Sequence, residues 1–124
     1  ARSLDFWSWF LGYLGYEKYQ SWDGGGSFRK DATCIVFVQV EDRFRDAGYH
    51  RRRVGLNHLA FQAGSQAEVD DLTRALEDRD VTILYRDRHP HAGGGETYAV
   101  FFEDPDRIKV EFVVGLSSCL LTDS

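Results

Sequence analysis

Residues 55–78 read GLNHLAFQAGSQAEVDDLTRALED, and this stretch decides the fold. Its first eight residues, Gly55–Gln62, alternate: Asn57, Leu59 and Phe61 oppose Leu56, His58, Ala60 and Gln62, the period of a strand. The pattern then changes. Ser65 with Glu68 forms a capping box, and Val69, Leu72, Ala75 and Leu76 recur at helical spacing up to about Asp78. Asp70, Asp71, Arg74, Glu77 and Asp78 point elsewhere, as on a solvated helix face. Three more strand-like runs follow near Val81–Arg86, Glu96–Phe102 and Arg107–Val114. The unit is therefore βαβββ.

Working outward, the same order recurs upstream with one element absent. A helix starts near Ser3, followed by runs at Tyr16–Ser21, Ser27–Arg29 and Thr33–Val40. Aligning Ser3 with Ser65 leaves no counterpart for the ten residues Gly55–Gly64. The expected fold is α+β with paired βαβββ modules, the first strand of module one missing from this chain. One domain spans 1–124: a first module with its connector at 1–54, a second module at 55–114, and a tail at 115–124.

Composition narrows the function. A chain of 124 residues, 43% apolar and 15% aromatic, is long enough to bury a core. A net charge of −5 argues against nucleic acid, whose phosphates need a basic surface. No run of about 18 apolar residues offers a membrane span, and no secretory leader is visible. Cys34 and Cys119 make no disulfide framework, so a cytoplasmic setting is expected. The one basic cluster, Arg51-Arg52-Arg53, reads as a solvated connector, or more sharply as a gate for an anionic substrate. The first helix carries one stripe of Leu4, Trp7, Phe10, Leu11 and Leu14 and a second of Phe6, Trp9 and Tyr13. Two greasy faces favour a second subunit, hence a homodimer.

Strand parity supplies the candidate site. In Thr33–Val40, Cys34, Val36, Val38 and Val40 oppose Ile35, Phe37 and Gln39; in Arg107–Val114, Lys109, Glu111 and Val113 oppose Ile108, Val110, Phe112 and Val114. If helices cover one face only, Gln39, His58 and Glu111 share the uncovered, concave side. An imidazole and a carboxylate on neighbouring strands suit a divalent metal, with the Gln39 carbonyl as a third donor. The plainer readings are a hydrogen-bonded core histidine and a glutamate paired with Lys109 or an arginine. His89-Pro90-His91 reads as loop or pocket rim, and His50 as exposed. Gly24-Gly25-Gly26 and Gly93-Gly94-Gly95 lack the Lys-Ser/Thr and the helix of a phosphate loop, and read as strand connections.

Gly55–Phe61, the helix after it, and Tyr98–Glu111 resemble the vicinal oxygen chelate superfamily, the glyoxalase, bleomycin-resistance and dioxygenase group. Ser3–Trp7 with Leu14–Glu17 is similar to the opening of its first module. The resemblance implies a cleft holding Zn²⁺, Mn²⁺, Fe²⁺, Ni²⁺ or Co²⁺, with His58 and Glu111 as ligands, Gln39 near a third ligand position, and Glu111 doubling as catalytic base. It implies a small oxygen-bearing substrate and lyase, isomerase or dioxygenase chemistry. A metal-free protein that sequesters a small molecule, or a truncated inactive domain, stays open beside it. Two departures stand out: the histidine-bearing first strand is absent, and Asp106-Arg107-Ile108 replaces the common Asp-Gly-Asn turn.

Overall fold

The computed structural model describes residues 2–115. The tail and Cys119 lie outside the described residues. The elements run α1 (Arg2–Tyr13), β1 (Glu17–Trp22), β2 (Gly25–Lys30), β3 (Thr33–Val38), a 3₁₀ turn (Asp42–Ala47), β4 (His58–Ala63), α2 (Gln66–Asp78), β5 (Ile83–Leu84), β6 (Ala99–Glu103) and β7 (Lys109–Val114). They form two compact units, Ala1–Gly48 and Tyr49–Ser124. No described helix is long and apolar enough to cross a membrane.

The first unit is αβββ, an antiparallel sheet in the order β1-β2-β3. The second is βαβββ in the order β4-β7-β6-β5, with β4 parallel to β7 and the other pairs antiparallel. The paired-module expectation holds. The place beside β3 that β4 takes beside β7 has no strand among the described residues.

Local chemistry sets the second unit's helix. Ser65 caps α2 by accepting from the Glu68 N–H, as expected, but the Glu68 carboxylate reaches the Gly64 N–H instead of that of Ser65. Val69, Leu72 and Leu76 are buried on β4, β6 and β7. At the other end of the sheet, Asp104 builds the β6–β7 turn: its Oδ1 accepts from the N–H groups of Asp106 and Ile108, each at 2.8 Å. Arg107, where the resembling turns carry glycine, sits in the left-handed region at φ 70°. The run expected at Val81–Arg86 shrinks to two paired residues, because Tyr85 also turns to positive φ, 56°.

The faces of β3 are the reverse of the parity reading. Phe37 meets Trp7 of α1 with ring centroids 5.5 Å apart and Phe28 of β2 at 6.0 Å. The covered face thus carries Ile35 and Phe37, while Val36, Val38 and Val40 are exposed, Val38 at 71%. Gly25 is needed on that bare face, since a Cβ there would lie 2.4 Å from the Phe37 carbonyl oxygen and 2.7 Å from the Trp22 ring. Both β3 faces are apolar in composition, and the aromatic stripe of α1 decides between them. Of α1's second stripe, Phe6 is buried, whereas Tyr13 stays exposed beside Trp9 at 6.0 Å.

In urea unfolding, Leu72→Ala should lose about 2–5 kcal/mol, the cost of a core cavity. Val38→Ser should stay within about 0.5 kcal/mol of the parent chain, as for exposed sites. A large loss at Val38 would reinstate the valine face as the covered one.

Candidate metal and catalytic site

Parallel pairing of β4 with β7 sets His58 opposite Lys109 and Ala60 opposite Glu111. In such a ladder paired residues point to the same face. His58, Lys109 and Glu111 therefore share the face away from α2. The imidazole Nε2 lies 3.3 Å from Glu111 Oε1. The two candidate residues, 53 positions apart in sequence, are brought into direct contact.

That face is not open, contrary to expectation. Glu111 is 1% exposed and Lys109 0%. Tyr85 and Ala92 of the segment between β5 and β6, with Leu84 of β5, pack against Ala99, Phe101 and Val113 on it. The Tyr85 ring meets Phe101 edge-on at 5.4 Å. Lys109 Nζ donates to the Tyr85 hydroxyl at 3.1 Å and stands 5.3 Å and 5.6 Å from the Tyr85 and Phe101 ring centres. A buried ammonium is costly unless donors and charge are matched. The hydroxyl and two π faces supply partners for it, and Glu111 stands two residues along on the same strand face.

Electrostatics keeps His58 neutral. Burial first, and then the positive charge of Lys109, push its pKa below the ordinary value of 6.5. The other ring nitrogen, Nδ1, is 2.7 Å from Asn57 Oδ1. A neutral imidazole whose Nδ1 donates to that oxygen turns an Nε2 lone pair toward Glu111 Oε1. Two acceptors face each other there, and a shared cation or proton satisfies both. Imidazole nitrogen and carboxylate oxygen are donors suited to a borderline divalent ion, and 3.3 Å matches two ligands of one ion at about 2.0–2.2 Å each. His58 and Glu111 thus fit one side of a metal site. Among the described residues no group of three or more His, Cys, Asp or Glu converges.

The remaining candidates, Gln39, His91 and His50, are exposed. Gln39 lies in the first unit, one residue past the end of β3; it is exposed, and its N–H donates to the Gly24 carbonyl at 2.7 Å. The β3 parity that aligned Gln39 with an uncovered face does not hold. His91 is exposed and bonded through Nδ1 to the Thr97 carbonyl at 2.9 Å, and His50 is exposed, as expected of a loop and a connector. The arginine run is not uniformly solvated. Arg51 is tucked against Glu103 with Nη1–Oε2 at 2.8 Å, while Arg52 and Arg53 are exposed. Sequence reading passed over Asn57 and Tyr85, and took Arg51 only as one member of a basic run. A polar residue directly ahead of a strand histidine was the available signal for Asn57; nothing local marked the other two.

Comparison with known proteins agrees with this fold. The family model described as Glyoxalase/Bleomycin resistance protein/Dioxygenase superfamily matches residues 1–112. The uncharacterized protein YqjT of Bacillus subtilis (strain 168) is 56% identical over 111 residues, 90% of this chain and 87% of that protein. A Bacillus halodurans protein provisionally described as a glyoxalase superposes with a TM-score of 0.90 at 58% identity, over 91% of this chain and 85% of its own. Lactoylglutathione lyase from Agrobacterium tumefaciens shares the fold at a TM-score of 0.61 and 21% identity, covering 92% and 84% of the two chains.

The lowered pKa has a signed consequence. As pH falls below about 6.5, the unfolded chain takes up the His58 proton before the folded one. The stability held above that pH drains away as pH descends through the lower folded value. Thermal unfolding followed from pH 7.5 to 5 should fall more steeply for the parent chain than for His58→Gln; parallel curves would refute a neutral buried imidazole.

Proposed function

The chain belongs to the glyoxalase/bleomycin resistance protein/dioxygenase superfamily, and from that membership we propose a metal-dependent protein acting on a small oxygen-bearing substrate. The observation that carries this reading is the 3.3 Å approach of His58 Nε2 to Glu111 Oε1 on a buried sheet face. His58 and Glu111 hold the ion in this reading, one of Zn²⁺, Mn²⁺, Fe²⁺, Ni²⁺ or Co²⁺. When bound, the ion contributes Lewis acidity toward an enolate or oxyanion. Glu111, buried on the sheet face, exchanges a proton with the substrate as general base. Lyase, isomerase and dioxygenase chemistry all use such a site. The same reading makes the protein a cytosolic homodimer.

A metal-free binder that sequesters a small molecule is favoured by a different observation. The bare face of the first unit presents Trp22, Val36 and Val38 to solvent, apolar material that a flat aromatic ligand would cover.

Calorimetric titration of chelator-treated protein with Ni²⁺ or Mn²⁺ separates the readings. The expected result is about one ion per chain, lost in His58→Ala and in Glu111→Ala. No uptake by the parent chain, together with uptake of an aromatic cation that Trp22→Ala abolishes, would instead establish sequestration.

A further inference from the structure

Asn57 stands between the crossover segment and the candidate site, and its amide is pinned on both sides. Its Nδ2 donates to the Arg51 carbonyl at 3.4 Å, and its Oδ1 faces His58 Nδ1 at 2.7 Å. The Tyr49 hydroxyl holds the neighbouring backbone, donating to the Leu56 carbonyl at 2.9 Å and the Asn57 carbonyl at 3.4 Å. Arg51 is itself anchored to Glu103 at 2.8 Å, both side chains largely buried. The orientation of an amide is read from its partners. Turning this one over would set Oδ1 against the carbonyl oxygen of Arg51, acceptor on acceptor, so Oδ1 belongs on the histidine side. An amide oxygen only accepts, and its partner Nδ1 must then carry the proton.

We propose that Asn57 is a positioning residue that selects the Nδ1–H tautomer of His58 and so presents the Nε2 lone pair toward Glu111. The selection is a contest. Glu111 alone would draw the ring proton to Nε2, where it could be donated to the carboxylate. Asn57 wins by distance, 2.7 Å at Nδ1 against 3.3 Å at Nε2, because a hydrogen bond weakens as it lengthens. The outcome decides what the ring can do. With the proton on Nδ1, Nε2 receives a cation or a substrate proton; with the proton on Nε2, the imidazole is sealed to Glu111 and offers neither. The buried pair Arg51–Glu103 and the Tyr49 hydroxyl thereby gain a role at the site without touching it: they hold the segment that aims Asn57. This deepens the metal reading of His58, yet the tautomer belongs to the metal-free chain and stands or falls separately.

The test is long-range ¹H–¹⁵N correlation on the ¹⁵N-labelled full chain at pH 8 without metal, with His58 assigned by its loss in His58→Gln. The expected spectrum has His58 protonated at Nδ1 and bare at Nε2. Asn57→Leu should move the proton to Nε2 and weaken Ni²⁺ binding about 10–100-fold, the usual cost of losing an outer partner of a ligand. Asn57→Asp keeps an acceptor in place and should retain the Nδ1–H form, which covers the case in which the leucine variant does not fold. A wild-type ring protonated at Nε2, or a folded Asn57→Leu chain with an unchanged tautomer, overturns the proposal whatever the metal titration gives. An Nδ1–H ring in a chain that takes up no ion supports the tautomer selection and removes only the metal reading.

Discussion

The parallel ladder between β4 and β7 is the constraint on which the site depends. It joins the opening strand of the second unit to its closing one, with α2, β5 and β6 between them in sequence, so His58 and Glu111 meet only when the whole unit is assembled. Register is as important as pairing. Side chains alternate faces at each step, and a slip of one residue would send His58 toward α2 and bring Leu59 to Glu111. Both faces of β7 resist that slip. Val110 and Phe112 are buried on the α2 side, and exchanging them with Lys109 and Glu111 would place two charges under an apolar helix.

The same burial sets the electrostatics. Lys109 and Glu111 are nearly inaccessible, and neither would be tolerable alone in so dry a place. Tyr85 makes Lys109 acceptable by offering a hydroxyl and a ring face, and the positive φ that ends β5 is what swings Tyr85 into reach. Once Lys109 is fixed, its charge opposes protonation of His58. A cation of the protein's own thus keeps an imidazole neutral, the form that can receive another cation or a proton. The opposition extends to any metal placed there. Lys109 offsets the charge of Glu111, so a bound divalent ion would leave the site with an excess of positive charge that an anionic substrate oxygen neutralises.

How much of this could be read from the chain varies with the range of the interaction. The Ser65 cap and the stripe of α2 were legible because each is settled within four residues. The pairing of His58 with Glu111 was legible as a shared face, since parity carries along two strands that are apolar on one side and polar on the other. The face of β3 was not, because Ile35 and Phe37 are as apolar as Val36 and Val38; Trp7 on another element chooses. Nor did Arg51 differ in kind from Arg52 and Arg53. A glutamate 52 residues away singles it out, and sequence pattern has no means of registering such a partner. The burial of Lys109 was hidden for the same reason, since its cover comes from a segment without regular structure.

The two units differ in what their second sheet faces can support. Shifted titration needs charges removed from water, and removal needs a cover. In the second unit, Tyr85 and Ala92 provide one over Ala99, Phe101 and Val113, with Lys109, Glu111 and His58 on the same face. In the first unit the corresponding face carries Trp22, Val36 and Val38 largely in solvent, and its buried polar group, Ser27, is a neutral hydroxyl. A bare apolar face can grip a ligand by area alone, but it cannot hold an imidazole out of its ordinary protonation range.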